Sequence, residues 1–152
     1  MPSNFLWIGF VAAALPEAKI VHVTRDPRAT CWSIYRNLFS AGGSNYSHDL
    51  EDVANYYILY RDLMTFWHER YPGRIYDLGY ESLTDQQAEQ TRLLLEYLGL
   101  DWEEQCLEFH KTGRAVQTAS AAQVRLEMYQ GSSEAWRNYQ EHLGPMLDIL
   151  GS

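Results

Sequence analysis

Apolar residues follow two rhythms along this chain, and the changes of rhythm mark its elements. From Leu50 to Tyr71 they recur at helical spacing, placing Val53, Tyr56, Tyr57, Leu59, Tyr60, Leu63, Met64 and Trp67 on one broad face of a long amphipathic helix. Pro72-Gly73 stops it. Two short runs follow a different rhythm. Ile20, Val21 and Val23, within residues 18–24 and after Pro16-Glu17, predict a short buried strand; Arg74 to Leu78 predicts a second. Helices alternating with strands in this way predict parallel pairing in an α/β sheet. Residues 4–14 predict an apolar helix closed by Leu15-Pro16, and a helix is expected from Asp26 to about Phe39, before a Gly/Ser loop at 40–44. Asp85 to Leu98 predicts another helix with Gly99 as its stop, Trp102 to His110 a shorter one, and Ser133 to Leu150 one or two helices broken near Gly144-Pro145. Residues 111–133 are poorly periodic and predict an irregular segment. Two strands make a marginal sheet by themselves.

The junction between the first strand and its helix carries the candidate chemistry. Asp26 offers an N-cap carboxylate and Pro27 suits the first helical position, where no backbone N–H is needed. Arg25 therefore stands at the carboxyl end of a strand, where open α/β sheets bind their ligands. Ser33 lies about two turns into the helix, roughly 9 Å along its axis. A permanently charged fork and a hydroxyl on one strand–helix unit can grip a phosphate together.

Composition narrows the classes. With 152 residues, 46% of them hydrophobic, the chain can build one domain with a sizeable core. The apolar stretch 5–15 is too short to span a bilayer and lacks a basic lead-in, so no membrane partner is expected. Cys31 and Cys106 have neither metal-ligand spacing nor a disulfide framework; they read as small buried hydrophobes in a reducing, cytoplasmic setting. A net charge of −8 argues against nucleic acid or anionic membrane as a partner. There is no Gly-x-Ser-x-Gly turn and no Walker loop, which excludes the usual hydrolase and kinase signatures. Of the five histidines, His22 reads as a satisfied core residue on its strand and His48 as a loop residue. His68, His110 and His142 lie on predicted helices without Ser, Asp or Cys partners at telling spacings.

The turn Arg25-Asp26-Pro27, with Ser33 eight residues after the arginine, resembles the 3′-phosphate-binding segment of sulfotransferases that use 3′-phosphoadenosine 5′-phosphosulfate (PAPS) as donor. Met1-Pro2-Ser3-Asn4-Phe5, Tyr80-Glu81-Ser82-Leu83, Thr118-Ala119-Ser120 with Gln123-Val124-Arg125, Trp136-Arg137-Asn138-Tyr139 and, more weakly, Leu50-Glu51-Asp52 resemble the bacterial branch often joined to tetratricopeptide repeats, itself related to protein-tyrosine sulfotransferases. The likeness runs in order along nearly the whole chain and is specific as a set.

This resemblance implies an α/β, P-loop-NTPase-like sulfotransferase fold, here partial, with a small parallel sheet and flanking helices. It implies that residues 1–152 are a single incomplete domain, the C-terminal portion of an enzyme. The Gly/Ser-rich loop for the 5′-phosphosulfate, the general-base carboxylate and the family's lysine would all belong ahead of Met1. No residue of this chain is then assigned a catalytic role. Arg25 and Ser33 stand where the family holds the 3′-phosphate, and Tyr80 where it has a nucleotide-binding tyrosine. Ser120, Gln123, Val124, Arg125, Tyr129 and Gly131 correspond to a second loop closing over the adenosine bisphosphate. Arg25, Arg28, Arg36, Arg114 and Arg125 all fall in these segments or at their rim, with Arg28 and Arg36 the weaker candidates. Glu81 is expected to be structural and Trp136 to pack. The implied partners are the nucleotide donor and a hydroxyl acceptor (protein tyrosine, carbohydrate or small molecule), with no metal. Two departures bear on affinity: Gln117 stands where an arginine is often found, and Glu134-Ala135 where a glycine and an arginine are usual. Each lost charge-assisted bond weakens binding by about 1–3 kcal/mol. The alternative is a non-catalytic nucleotide-binding or interaction module derived from such an enzyme.

Overall fold

In the computed structural model, which describes residues 3–37, 45–111, 128 and 130–151, a 3-10 turn (Asn4–Trp7) leads into α1 (Ile8–Ala14), β1 (Ile20–Thr24) and α2 (Pro27–Tyr35). A second 3-10 turn (Asn45–His48) precedes α3 (Leu50–Arg70), which is followed by β2 (Ile75–Gly79), α4 (Tyr80–Asp85) and α5 (Gln87–Leu98). Short 3-10 turns at Glu104–Leu107 and Phe109–Lys111, a longer 3-10 stretch Ser132–His142 and α6 (Gly144–Leu150) complete the described chain. The end of the predicted helix at Phe39 and the loop at 40–44 lie outside the described residues.

β1 and β2 pair in parallel, as the alternation of elements predicts, with Ile20 opposite Ile75 and Thr24 opposite Gly79. The chain between them, α2 and α3 included, is the crossover that parallel pairing requires. α3 begins at Asp49, whose carboxylate accepts from the amides of Glu51 and Asp52 at 2.8 and 3.0 Å. Glu51 and Asp52 in its first turn, and His68 and Arg70 in its last, suit the helix dipole at both ends. At about 1.5 Å per residue, 21 residues make a rod long enough to serve two cores. Its N-terminal half brings Val53 and Ala54 against Ala29 and Cys31 of α2, Trp136, Leu143 and Met146. Its C-terminal half brings Met64 against Ile8 and Ile75, with Ile20, Tyr60 and Trp67 around them.

The structure corrects several sequence expectations. Leu59 is 65% exposed, because it lies roughly a third of a turn from the line through Val53, Tyr60 and Met64. β1 is only half-buried, and Val23 is 56% exposed. Among the described residues β1 has a neighbour on one side alone, and Val23 faces a cavity of about 740 Å³ that it shares with Trp7, Val11, Tyr57 and Tyr60. Residues 80–85 form a helix of their own, parted from α5 at Gln86. The predicted helix from Trp102 to His110 is instead two 3-10 turns, with the Leu107 carbonyl accepting from Gln87 Nε2 at 3.2 Å and Trp102 Nε1 donating to Glu104. Gly99 ends α5 at φ +73°, the left-handed conformation that glycine adopts without a side-chain clash. Among the described residues no helix is long and apolar enough to cross a membrane.

Candidate functional site at the carboxyl edge of the sheet

Because the strands are parallel and Thr24 pairs with Gly79, the next residues, Arg25 and Tyr80, leave the sheet side by side at its carboxyl edge. The Arg25 guanidinium lies over the Tyr80 ring, 4.9 Å from its centroid. From there α2 starts as its sequence predicts. Asp26 caps it, accepting from the Ala29 amide at 2.8 Å, and Pro27 takes the first turn. This fixes the direction of the helix that carries Ser33 and Arg36.

A third segment closes against these two. Gly131 sits at φ +87°, a backbone turn that favours glycine, and opens the 3-10 stretch that begins with Ser132 and Ser133. Arg25 donates from Nη2 to the Ser132 carbonyl at 2.7 Å and to Ser132 Oγ at 3.3 Å, and from Nε to Ser133 Oγ at 3.1 Å. Tyr80 shares a 2.9 Å hydrogen bond with Ser132 Oγ. Glu81 ties the layers together from behind: its Oε1 accepts from the Asp26 amide at 3.1 Å and from the Ser133 hydroxyl. Burial alone would push the Glu81 carboxyl up, but the hydrogen bonds from Ser133 and Asp26 and the nearby Arg25 charge outweigh it and hold the carboxyl below its ordinary value. Glu81 is therefore structural, as expected.

These residues surround a cavity of about 370 Å³. Two guanidiniums, Arg25 and Arg36, and the hydroxyl residues Ser33, Tyr80 and Ser132 line it; Trp32 and Gly131 add an aromatic wall and a bare backbone. Among the described residues no carboxylate lines it, although the whole chain carries a net charge of −8. Trp32 also keeps a buried indole N–H that has no partner among the described residues. Local positive charge, several donors and an aromatic face suit a phosphorylated aromatic nucleoside.

Of the residues singled out from sequence, Arg25, Ser33, Tyr80 and Gly131 meet at this one cavity. Ser120, Gln123, Val124, Arg125 and Tyr129, with Arg114 and Gln117, lie outside the described residues. Arg36 lines the cavity, whereas Arg28 is turned away: it pairs with Asp26 at 3.1 Å and lies over Trp136. Trp136 is buried and packs, as expected. Sequence reasoning missed Ser132 and Ser133. They follow a glycine, the one local hint, but their partner is Arg25, more than a hundred positions earlier.

The chain is 38% identical over 152 residues to an uncharacterized protein of Aquifex aeolicus, a match covering 99% of this chain and 20% of that protein. It is 28% identical over 157 residues to an omega-hydroxy-beta-dihydromenaquinone-9 sulfotransferase of Mycobacterium bovis, covering 99% of the chain and 39% of the relative. It is 26% identical over 163 residues to a putative protein-tyrosine sulfotransferase of Caenorhabditis elegans, covering 99% and 62%. The chain thus spans between a fifth and about three-fifths of the length of these relatives. Residues 1–104 match the family model described as the sulfotransferase family, and that stretch contains β1, α2 and β2 with Arg25, Ser33 and Tyr80: the chain belongs to the sulfotransferase family.

Proposed function

We propose that this chain forms the 3′-phosphate-binding part of a sulfotransferase that draws its sulfuryl group from PAPS. The observation that supports this most is the convergence of Arg25, Ser33, Tyr80 and Gly131 on one cavity, lined among the described residues by guanidiniums and hydroxyls, at the carboxyl edge of a parallel sheet. In this reading Arg25 and Ser33 hold the phosphate on the ribose, with Arg36 adding charge at the rim. Tyr80 and Ser132 position the guanidinium so that little side-chain freedom is lost when the anion arrives. Arg25 exchanges its bonds to Ser132 and Ser133 for bonds to phosphate oxygens, which are stronger because both partners are charged.

Binding at the 3′-phosphate is remote from the reacting sulfur. Its energy serves to orient the donor, so that an acceptor oxygen can attack sulfur in line with the departing phosphate oxygen. The names of the two sulfotransferase relatives point to hydroxyl-bearing acceptors, a hydroxylated dihydromenaquinone and protein tyrosine. The acceptor proposed here is accordingly a hydroxyl.

Adenosine 3′,5′-bisphosphate should raise the melting temperature of the 152-residue chain, and Arg25→Ala should abolish the rise. If the unsubstituted chain shows no shift at millimolar nucleotide, the proposal fails.

A further inference from the structure

On the face of the sheet that packs against α3, away from the nucleotide cavity, two imidazoles converge on one carboxylate oxygen. His22 of β1 and Asp77 of β2 are directly paired across the strands, and His68 reaches down from α3. His22 Nδ1 lies 2.6 Å, and His68 Nε2 3.2 Å, from the same Asp77 Oδ1. One potential ligand atom from each of the three residues lies within 4.8 Å of the other two. We infer that His22, His68 and Asp77 form a binding site for a divalent transition-metal ion of the zinc class.

The donor chemistry points that way. Two imidazole nitrogens and one carboxylate oxygen suit zinc and its transition-metal neighbours, whereas magnesium and calcium prefer oxygen ligands. Metal–ligand bonds of about 2.0–2.2 Å place tetrahedral ligand atoms roughly 3.4 Å apart, so the present cluster needs only small side-chain adjustments. Three protein ligands leave a fourth position for water. The site is reachable, since the Asp77 side chain is 50% and the His68 side chain 35% exposed.

The support around the ligands is also in place. His22 Nε2 shares a hydrogen bond with the Tyr60 hydroxyl, the kind of outer partner that fixes a ligating ring's orientation and tautomer. When a metal binds, each ring gives its lone pair from the nitrogen now facing Asp77, and the proton there moves to the other ring nitrogen. For His22 that nitrogen is Nε2, and the Tyr60 oxygen accepts. Asp77 exchanges two hydrogen bonds for the metal bond. All three ligands stand on regular elements rather than loops, which favours a defined geometry. As a set of exposed hydrogen bonds alone, the cluster would contribute little.

The test uses the 152-residue chain stripped of metal with a chelator. Zinc at a hundredfold excess over its Kd should raise the melting temperature by about 5–10 °C, while magnesium gives no rise. Cobalt should give visible d–d bands with no thiolate charge-transfer band in the near ultraviolet. His68→Gln should remove both the zinc shift and the cobalt bands and leave adenosine bisphosphate binding unchanged. In the unsubstituted protein, zinc should shift the ring nitrogen resonances of two of the five histidines. No zinc-dependent rise, a rise that persists in His68→Gln, a thiolate band, or movement of histidines other than these two would overturn the assignment.

Discussion

Arg25 is held in readiness by neutral partners, and that choice decides what it can do. A guanidinium paired with a buried carboxylate would have to break a strong ion pair before taking an anion. Here a serine carbonyl, two serine hydroxyls and a tyrosine ring hold it, and the nearby carboxylate of Glu81 contacts Ser133 and the Asp26 amide. Glu81 is thus the support for the whole junction. Glu81→Gln should lower the melting temperature at pH 7. The pH dependence has a definite sign. The folded carboxyl titrates below its ordinary value of 4.5, so its contribution is present above that pH and falls away as the pH drops through the folded value. Thermal melts of the two proteins should therefore differ at pH 7 and converge as the pH falls below the ordinary carboxylate range; a constant gap would contradict this role. At this scale, Arg25 and Ser33 could be singled out as candidates because one ends a strand and the other lies on the helix that follows, whereas Tyr80 was singled out by its resemblance to a family motif. The serines that hold Arg25, and the meeting of His22, His68 and Asp77, were not. Neither carries a local spacing signal, because tertiary folding alone brings them together.

Among the elements, α3 was legible almost to the residue. Its apolar stripe is long and Pro72-Gly73 follows it; the structure adds the cap at Asp49. The cap should be worth about 1 kcal/mol, so Asp49→Ala should lower stability by that amount in urea unfolding, with an unchanged m-value. A loss below a few tenths would mean that packing alone sets where the helix begins. Arg74 was read only as the start of a strand, and the role of its side chain was hidden for the opposite reason. Its side chain donates to the carbonyls of Ala12, Leu15 and Ala18, joining the end of α1 to the start of β2 across almost sixty residues. The short α4 was missed because Tyr80 to Asp85 contains too few apolar positions to show a period, and its neighbour α5 showed one clearly. Leu59 shows the limit of pattern reading: an apolar residue at nearly helical spacing still faces water when it falls off the stripe.

For the whole molecule, the parallel sheet followed from the order of elements, and the candidate site was expected at its carboxyl edge on the same ground. What sequence could not reveal was how much apolar surface stays uncovered. Trp7, Phe10, Leu15 and Val23 are each more than half exposed, and Trp7 and Val23 both border the larger cavity. Surface of this kind should bind a fluorescent apolar dye such as 8-anilinonaphthalene-1-sulfonate to the native chain, well below its melting temperature. Trp7→Ser should reduce that fluorescence without altering the proposed nucleotide binding, since Trp7 does not border the smaller cavity. Dye emission no higher than that of an ordinary folded domain would show that these side chains are covered in solution. The smaller cavity is thus mainly polar and cationic and the larger mainly apolar, with Arg25 lining both.

The central claim concerns a phosphate on one particular ribose carbon, and calorimetric titration with two nucleotides addresses it most directly. Adenosine 3′,5′-bisphosphate should bind the 152-residue chain at least tenfold more tightly than adenosine 5′-monophosphate, and Arg25→Ala should erase that preference while the protein stays folded. Equal affinities for the two nucleotides, or a preference that survives the substitution, would contradict the account.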